Sequence, residues 1–294
     1  MDLSLFVQIL ANAVMASLTL ILIALGVTLI FGLMRIVNFF HGEVYALGGL
    51  SCWFFSSKVL VDLGGSQVLS FVGAVVISAV MVAILGIIIE RLFLRRWHDN
   101  LLVSLIVSLA FILIMQTGML AFFGFQNKKA LDPFPGVFQF AGVMLPQSRV
   151  VVILSTIVLI LGLYFFIQRT RAGRAMRAIE QDREAAALYG VNYSRTCSLG
   201  MGIGCGLAAT AGSLLAIVFA LNPWSGGFTV IKAYSAVILG GMGSLGGTVI
   251  ASFVIGFIES FGGSLLGSDI ALLLIFGSVM VILVVRPKGL FGRA

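Results

Sequence analysis

The chain reads as a succession of apolar runs, each closed by a short polar or charged stretch. A membrane-crossing helix needs about 20 predominantly apolar residues. Runs near that length lie at 5–33, 44–61, 68–94, 101–123, 150–167, 197–221 and 270–285. A further apolar region at 233–260 is longer than one span and is interrupted by glycines at 240–247. It predicts one tilted helix or two shorter ones meeting at the break. The pattern as a whole predicts an all-α polytopic membrane protein of about eight or nine membrane segments, with broken helices and room for an inverted repeat. The first run is too long for the apolar part of a leader, and Asp2 stands where a basic residue would precede one, so it reads as the first span.

Composition narrows the class. Of the 294 residues, 60% are hydrophobic and 10% charged, whereas a soluble domain carries about a quarter charged. The net charge of +7 would suit nucleic acid in a soluble protein. Here the cations close apolar runs, and anchoring against membrane lipid at the cytoplasmic face accounts for them without a nucleic-acid partner. Cys52, Cys197 and Cys205 lie in or beside apolar runs without metal-ligand spacing and read as small core residues.

Charge concentrates between residues 169 and 195, RTRAGRAMRAIEQDREAAALYGVNYSR, with six arginines and the acids Glu180, Asp182 and Glu184. Such a segment lies in water, and its arginine density places that water on the cytoplasmic side. Arg91, Arg95 and Arg96 follow the third run, and Arg286, Lys288 and Arg293 close the chain. All three sites share the cytoplasm if the N-terminus is outside and the broken region crosses or dips twice. By that count 13 of the 18 Lys and Arg residues lie inside, with a cytoplasmic C-terminus. The stretch 124–147, with Asn127, Lys128, Lys129 and Asp132, is the one sizeable external segment, read equally as a connector or as a contact for a delivering partner.

Two glycine-containing breaks interrupt the apolar pattern, GLMRIVNFFHGEVYALGG at 32–49 and GGMGSLGGT at 240–248. Gly42-Glu43-Val44 beside Gly247-Thr248-Val249 is the trace of a weak internal duplication. Irregular backbone at membrane depth persists only where protein or a water-filled cavity satisfies it. Asn38, His41, Gly42, Glu43, Gly241, Gly243, Ser244, Gly247 and Thr248 are therefore the candidates for the translocation pathway or helix breaks. For Arg35, His41 and Glu43 the alternative is an interfacial cluster that orients a helix end. Residues 241–246 spell G-x-G-x-x-G, but Gly247 stands where a P-loop lysine belongs and no strand precedes it. Glycines that permit close helix approach account for the spelling better. The small residues Gly200, Gly202, Gly204, Gly206, Ala208, Ala209, Ala211 and Gly212 predict tight helix packing, within the chain or against another subunit.

No catalytic or metal constellation emerges; His41 and His98 fall at span edges without a paired nucleophile. No acid–base pair lies deep in the apolar runs, and Glu90 and Glu259 sit near span ends, which weighs against a proton-coupled carrier. Thr28, Ser104, Ser108, Gln116, Thr117 and Thr210 form a sparse polar lining suited to a solute that is passed along.

Several of these stretches resemble one family. Glu184-Ala185-Ala186 followed by Gly190 resembles the EAA loop of ABC importer permeases. Val37-Asn38-Phe39-Phe40-His41-Gly42-Glu43 resembles the N-F-A-H-G-E signature of the branched-chain amino acid permease family, with Phe40 where alanine is usual. Residues 171–178, 190–192, 237–244 and 287–292 are similar to that family as well, in the same order along nearly the whole chain. The resemblance implies a single permease domain over 1–294, with 169–195 as a cytoplasmic coupling loop, in the bacterial cytoplasmic (inner) membrane. It implies a transport subunit that is not itself an enzyme, partnered by a second related permease, two ABC ATPases and a periplasmic substrate-binding protein. ATP and magnesium belong in that scheme to the ATPases, with no cofactor in this chain. A short helix over 174–188 would set Arg177, Glu180, Glu184 and Leu188 on one stripe for an ATPase groove, with Gly190 as its C-cap. Arg174, Ala185 and Ala186 complete the implied coupling set. The implied solute is a branched-chain or related hydrophobic amino acid. Urea or a short amide is the alternative within the family, and a stand-alone carrier working without ATPases is the rival outside it.

Overall fold

Polar residues that close the apolar runs turn out to be helix caps. Asn100 Oδ1 accepts from Val103 N (3.1 Å) and Ser66 Oγ from Leu69 N (3.3 Å), and Asn192 Oδ1 accepts from Arg195 N (3.0 Å). Each satisfies an amide that the first helical turn leaves without an intrahelical partner. The computed structural model describes residues 3–60, 66–98, 100–140, 143–287 and 289–291; Lys288, Gly292 and Arg293 lie outside the described residues.

In chain order the elements are α1 (Leu3–Met34), α2 (His41–Phe54), α3 (Gln67–Ile89), α4 (Leu101–Phe123), β1 (Val137–Phe140), β2 (Val143–Pro146), α5 (Gln147–Arg169), α6 (Arg171–Gln181), α7 (Arg183–Leu188), α8 (Tyr193–Leu215), α9 (Ser225–Gly240), α10 (Leu245–Leu265) and α11 (Ser268–Val285). Among the described residues seven helices are long and apolar enough to cross a membrane. The shorter α2 and α9, of 14 and 16 residues, bring the count into the expected range. A π-helical turn, Phe55–Val59, prolongs α2. The chain is thus a multi-pass, all-α membrane protein whose β1–β2 hairpin is a small ornament on the 124–147 connector.

The broken region is two helices, α9 and α10, turning back at Gly241–Ser244. The run at 197–221 is shorter as a helix than its apolarity suggests. α8 stops at Leu215, and the chain then pairs with the connector, Lys128 N with Leu221 O and Leu221 N with Lys128 O, both at 2.8 Å.

α1 runs through the interior, packed by α10, α8, α9 and α5, while α8 lies against α1, α2 and α3. The small residues of α8 find their partners inside this chain: a Cβ on Gly48 or Gly212 would overlap the backbone of Ala209 or Tyr45. Close backbone approach is how helices associate where lipid removes the hydrophobic drive. Cys52, Cys197 and Cys205 are buried and free. The two breaks, after α1 and after α9, lie at the same end of the bundle, since Arg35 and Gly243 line one cavity. An inverted pair would put them at opposite ends, so these two breaks are not related by inversion.

Candidate functional site

The arginine-rich segment folds into two helices instead of the single one expected over 174–188. Asp182 is extended (φ −154°, ψ 112°), and its Oδ1 accepts from Glu184 N (2.9 Å) and Ala185 N (3.0 Å). An aspartate that caps a new helix is worth more to the backbone than one continuing the old. α7 then closes as foreseen. Gly190, at φ +80°, donates to Ala187 O (3.0 Å) and Val191 N to Ala186 O (3.1 Å), the paired bonds of a Schellman cap.

The kink splits the expected stripe. Arg177 turns inward and donates to Ile167 O at the end of α5. Glu180 also turns inward, 3.6 Å from where a Cβ would stand on Gly32 of α1 and on Gly243 of the break. Glu184 is exposed, and Leu188 and the adjacent Tyr189 are 89% and 88% exposed at the tip of α7. Ala185 is half-buried and Ala186 buried, while exposed Arg174 donates to Arg169 O (3.3 Å). Arg183 stacks over the Tyr193 ring at 3.8 Å, tying α7 to α8.

Beneath α6 lies a cavity of about 410 Å³, lined by Gly32, Arg35, Arg177, Glu180, Gly243 and Ser244 among others. Ser244 Oγ caps α10 through Gly247 N (3.1 Å), and Gly241 and Gly243 adopt φ of +97° and +90°. Arg35 ends α1 at φ +53°, a conformation costing a non-glycine residue roughly 1 kcal/mol. The C-terminal segment docks on the same break: Leu290 N donates to Leu239 O (2.9 Å) and Phe291 N to Gly240 O (3.1 Å). The motif at 287–292 carried no structural expectation of its own, and a tail bond of this kind leaves no periodic signal.

Beyond Arg35, the first break from Ile36 to Val44 is largely buried and lines neither this cavity nor the one described next. Asn38 N donates to Tyr234 Oη (2.6 Å), and Glu43 Oε1 accepts from Gln116 Nε2 (2.9 Å). His41 is fully buried beside Gly26 of α1, and a Cβ on Gly42 would meet Gly226 of α9. Thr248 bonds Thr28 across the α1–α10 contact at 2.8 Å. Most of the expected polar lining is engaged elsewhere: the hydroxyls of Ser104, Ser108 and Thr210 donate to Trp97 O, Leu105 O and Gly206 O.

A second cavity, of about 540 Å³, opens at the opposite end. There Lys232 Nζ pairs with Glu259 Oε1 at 2.7 Å, and Arg149 donates to Asn12 Oδ1. An acid–base pair therefore exists inside the helical bundle, contrary to the sequence expectation. Lys232 and Glu259 stand on different helices, 27 residues apart, and only the α9–α10 hairpin brings them together. A lone lysine immediately before the apolar run at 233–260 was the legible signal. Glu90 is also paired, fully buried with Arg95 (3.1 Å) and Ser198 Oγ (2.6 Å).

The family described as "Branched-chain amino acid transport system / permease component" matches residues 9–285. The chain is 31% identical to the high-affinity branched-chain amino acid transport system permease protein BraD of Pseudomonas aeruginosa, over 98% of this chain and 96% of that one. It is 30% identical to the corresponding LivH protein of Escherichia coli K12, over 98% and 96%. The ribose import permease protein RbsC of the same organism is more distant, 23% identical over 93% of this chain and 81% of its own. No solved structure matches significantly. Matched by that family over residues 9–285 and by these relatives over 98% of its length, the chain belongs to the branched-chain amino acid transport permease family.

Proposed function

We propose that this chain is one permease of an ATP-binding-cassette importer for branched-chain amino acids in the bacterial cytoplasmic membrane. The arginine-rich end and the C-terminus face the cytoplasm, as the Lys and Arg imbalance favours. A second related permease, two ATPases that bind ATP and magnesium, and a periplasmic binding protein complete the assembly. The whole chain acts as one permease domain, and 169–195 is its coupling loop.

The observation that carries this reading is the position of Glu180. The exposed tip of α7, with Leu188 and Tyr189 beside Glu184, offers an apolar contact rimmed by charge, the make-up of a protein interface. Directly behind it, α6 touches α1 and the α9–α10 break through Glu180, and α5 through Arg177. A push on α7 from a closing ATPase dimer therefore reaches three spans at once. Rigid helices joined at glycine turns then re-pack to expose the pathway to the other side.

A gentle-detergent pull-down of the tagged chain, followed by leucine uptake with the recovered complex, tests this reading. Two ATPases, a second permease and uptake competed by isoleucine are expected. Competition by urea instead would assign the amide branch of the family, and transport by the chain alone in liposomes would make it a carrier.

A further inference from the structure

We propose that the outer cavity is a binding site for the zwitterionic head of the solute, with Arg149 receiving its carboxylate and Glu259 its ammonium. The proposal rests on the importer reading above, which places this cavity on the side where the binding protein delivers.

Charge here is expensive. Lys232 is the eighth residue of the 16-residue α9, and Glu259 lies in α10 six residues before its end. Ionisable groups at such depth are kept where they face water or each other and serve a pathway. Both conditions hold: the pair closes at 2.7 Å, and its side chains remain 20% and 37% exposed toward the cavity. Two cations and one anion line the space, leaving a surplus of one positive charge.

Arg149 is that surplus. Among the described residues it makes no ion pair, and its bond to Asn12 occupies only part of a guanidinium with five N–H donors in a planar fork. That fork matches a carboxylate. Glu259 is an acceptor already shared with a lysine, and an ammonium entering beside it can share or replace that partner. The remaining wall is apolar where Met15, Leu20, Ile23 and Phe219 reach it, which suits an aliphatic side chain. The volume of about 540 Å³ falls within the usual range for small-molecule sites, roughly 300 to 1,000 Å³. An uncharged amide or urea satisfies neither charge, so the cavity selects for amino acids within the membrane subunit itself, in addition to whatever the binding protein selects.

The test uses the complete importer in proteoliposomes with radiolabelled leucine. Arg149→Gln and Glu259→Gln should each lower uptake by at least about tenfold, the scale of one charged hydrogen bond lost. Arg149→Lys and Glu259→Asp should recover part of it, and Lys58→Gln, an exposed cation on the π-helical turn after α2, should leave uptake unchanged. Ser264→Cys, at the cavity rim, should react with a membrane-impermeant thiosulfonate from outside and be protected by leucine-loaded binding protein; the native cysteines are buried. Wild-type uptake by Arg149→Gln and Glu259→Gln within an intact importer, or labelling indifferent to leucine, overturns the proposal. Failure of the wild-type chain to recover ATPases would overturn the importer reading instead.

Discussion

Thr28 and Thr248, 220 residues apart, share a buried hydroxyl–hydroxyl bond of 2.8 Å that joins α1 to α10. Each hydroxyl also lies within reach of its own helix, 2.8 Å from Ala24 O and 2.9 Å from Ser244 O; one of the two gives its proton across the contact and the other to its own helix. Interhelical bonds of this kind in membranes contribute about 0.6 kcal/mol on average. Thr28→Val and Thr248→Val should each lower stability by about that amount, and the double variant by little more than either. A double-mutant cycle in detergent unfolding checks this; fully additive losses would mean the bond carries no coupling.

Glu184→Arg and Leu188→Asp change only exposed groups on α7. Membrane level and thermal stability should stay within about 0.5 kcal/mol of wild type, as for ordinary surface substitutions. ATPase recovery and leucine uptake should fall severalfold or more. Unchanged uptake by Glu184→Arg would remove α7 from the coupling path.

The helix α7 has six residues and depends on its caps. Asp182→Ala removes an acceptor shared by two amides and should cost about 1 kcal/mol locally. Gly190→Ala forces a side chain into φ +80° for a similar loss, about 1 kcal/mol. Amide exchange at Glu184 and Ala185 should accelerate in the first variant. Protection equal to wild type would show the helix is held by packing instead.

Gly243 combines φ +90° with Glu180 at its flank. Gly243→Val should abolish transport while the protein still inserts, because a β-branched residue resists that backbone. Gly246→Ala, three residues on with open space around it, should transport normally. Equal behaviour of the two would make the break incidental.

Arg95→Ala strips the buried Glu90 carboxylate of its guanidinium. The carboxylate keeps Ser198 Oγ at 2.6 Å and His98 Nε2 at 3.6 Å, so the loss is that of one charged hydrogen-bonding partner, roughly 2 kcal/mol, read as a lower detergent melting temperature. Glu90→Gln combined with Arg95→Gln should recover part of the loss. A double variant no better than Arg95→Ala alone would argue that the cluster is held by Ser198.

Local chemistry was legible in the sequence. The run at 101–123 is α4 residue for residue, the glycines at 240–247 mark the α9–α10 turn, and Gly190 closes α7. Each of these follows from apolar length or from backbone freedom, which neighbouring residues encode. The kink at Asp182 was missed because a run of helix formers looks the same with or without an internal cap.

What the tertiary structure alone decided is which apolar surface is inside. In water a helix advertises its buried face by alternating polar and apolar residues; in lipid the outward face is apolar too. α1 and α11 have the same mean hydropathy, 2.6, yet 83% of the apolar stretch of the first is buried and 11% of that of the second. Without that distinction the sequence by itself set the spans, the charged loop and the break. It left open that Glu180 would lie over Gly243, that Lys232 would meet Glu259, and that the tail would seal the end of α9. These contacts depend on how whole helices cross, and the closeness of a crossing is set by small residues scattered along different spans.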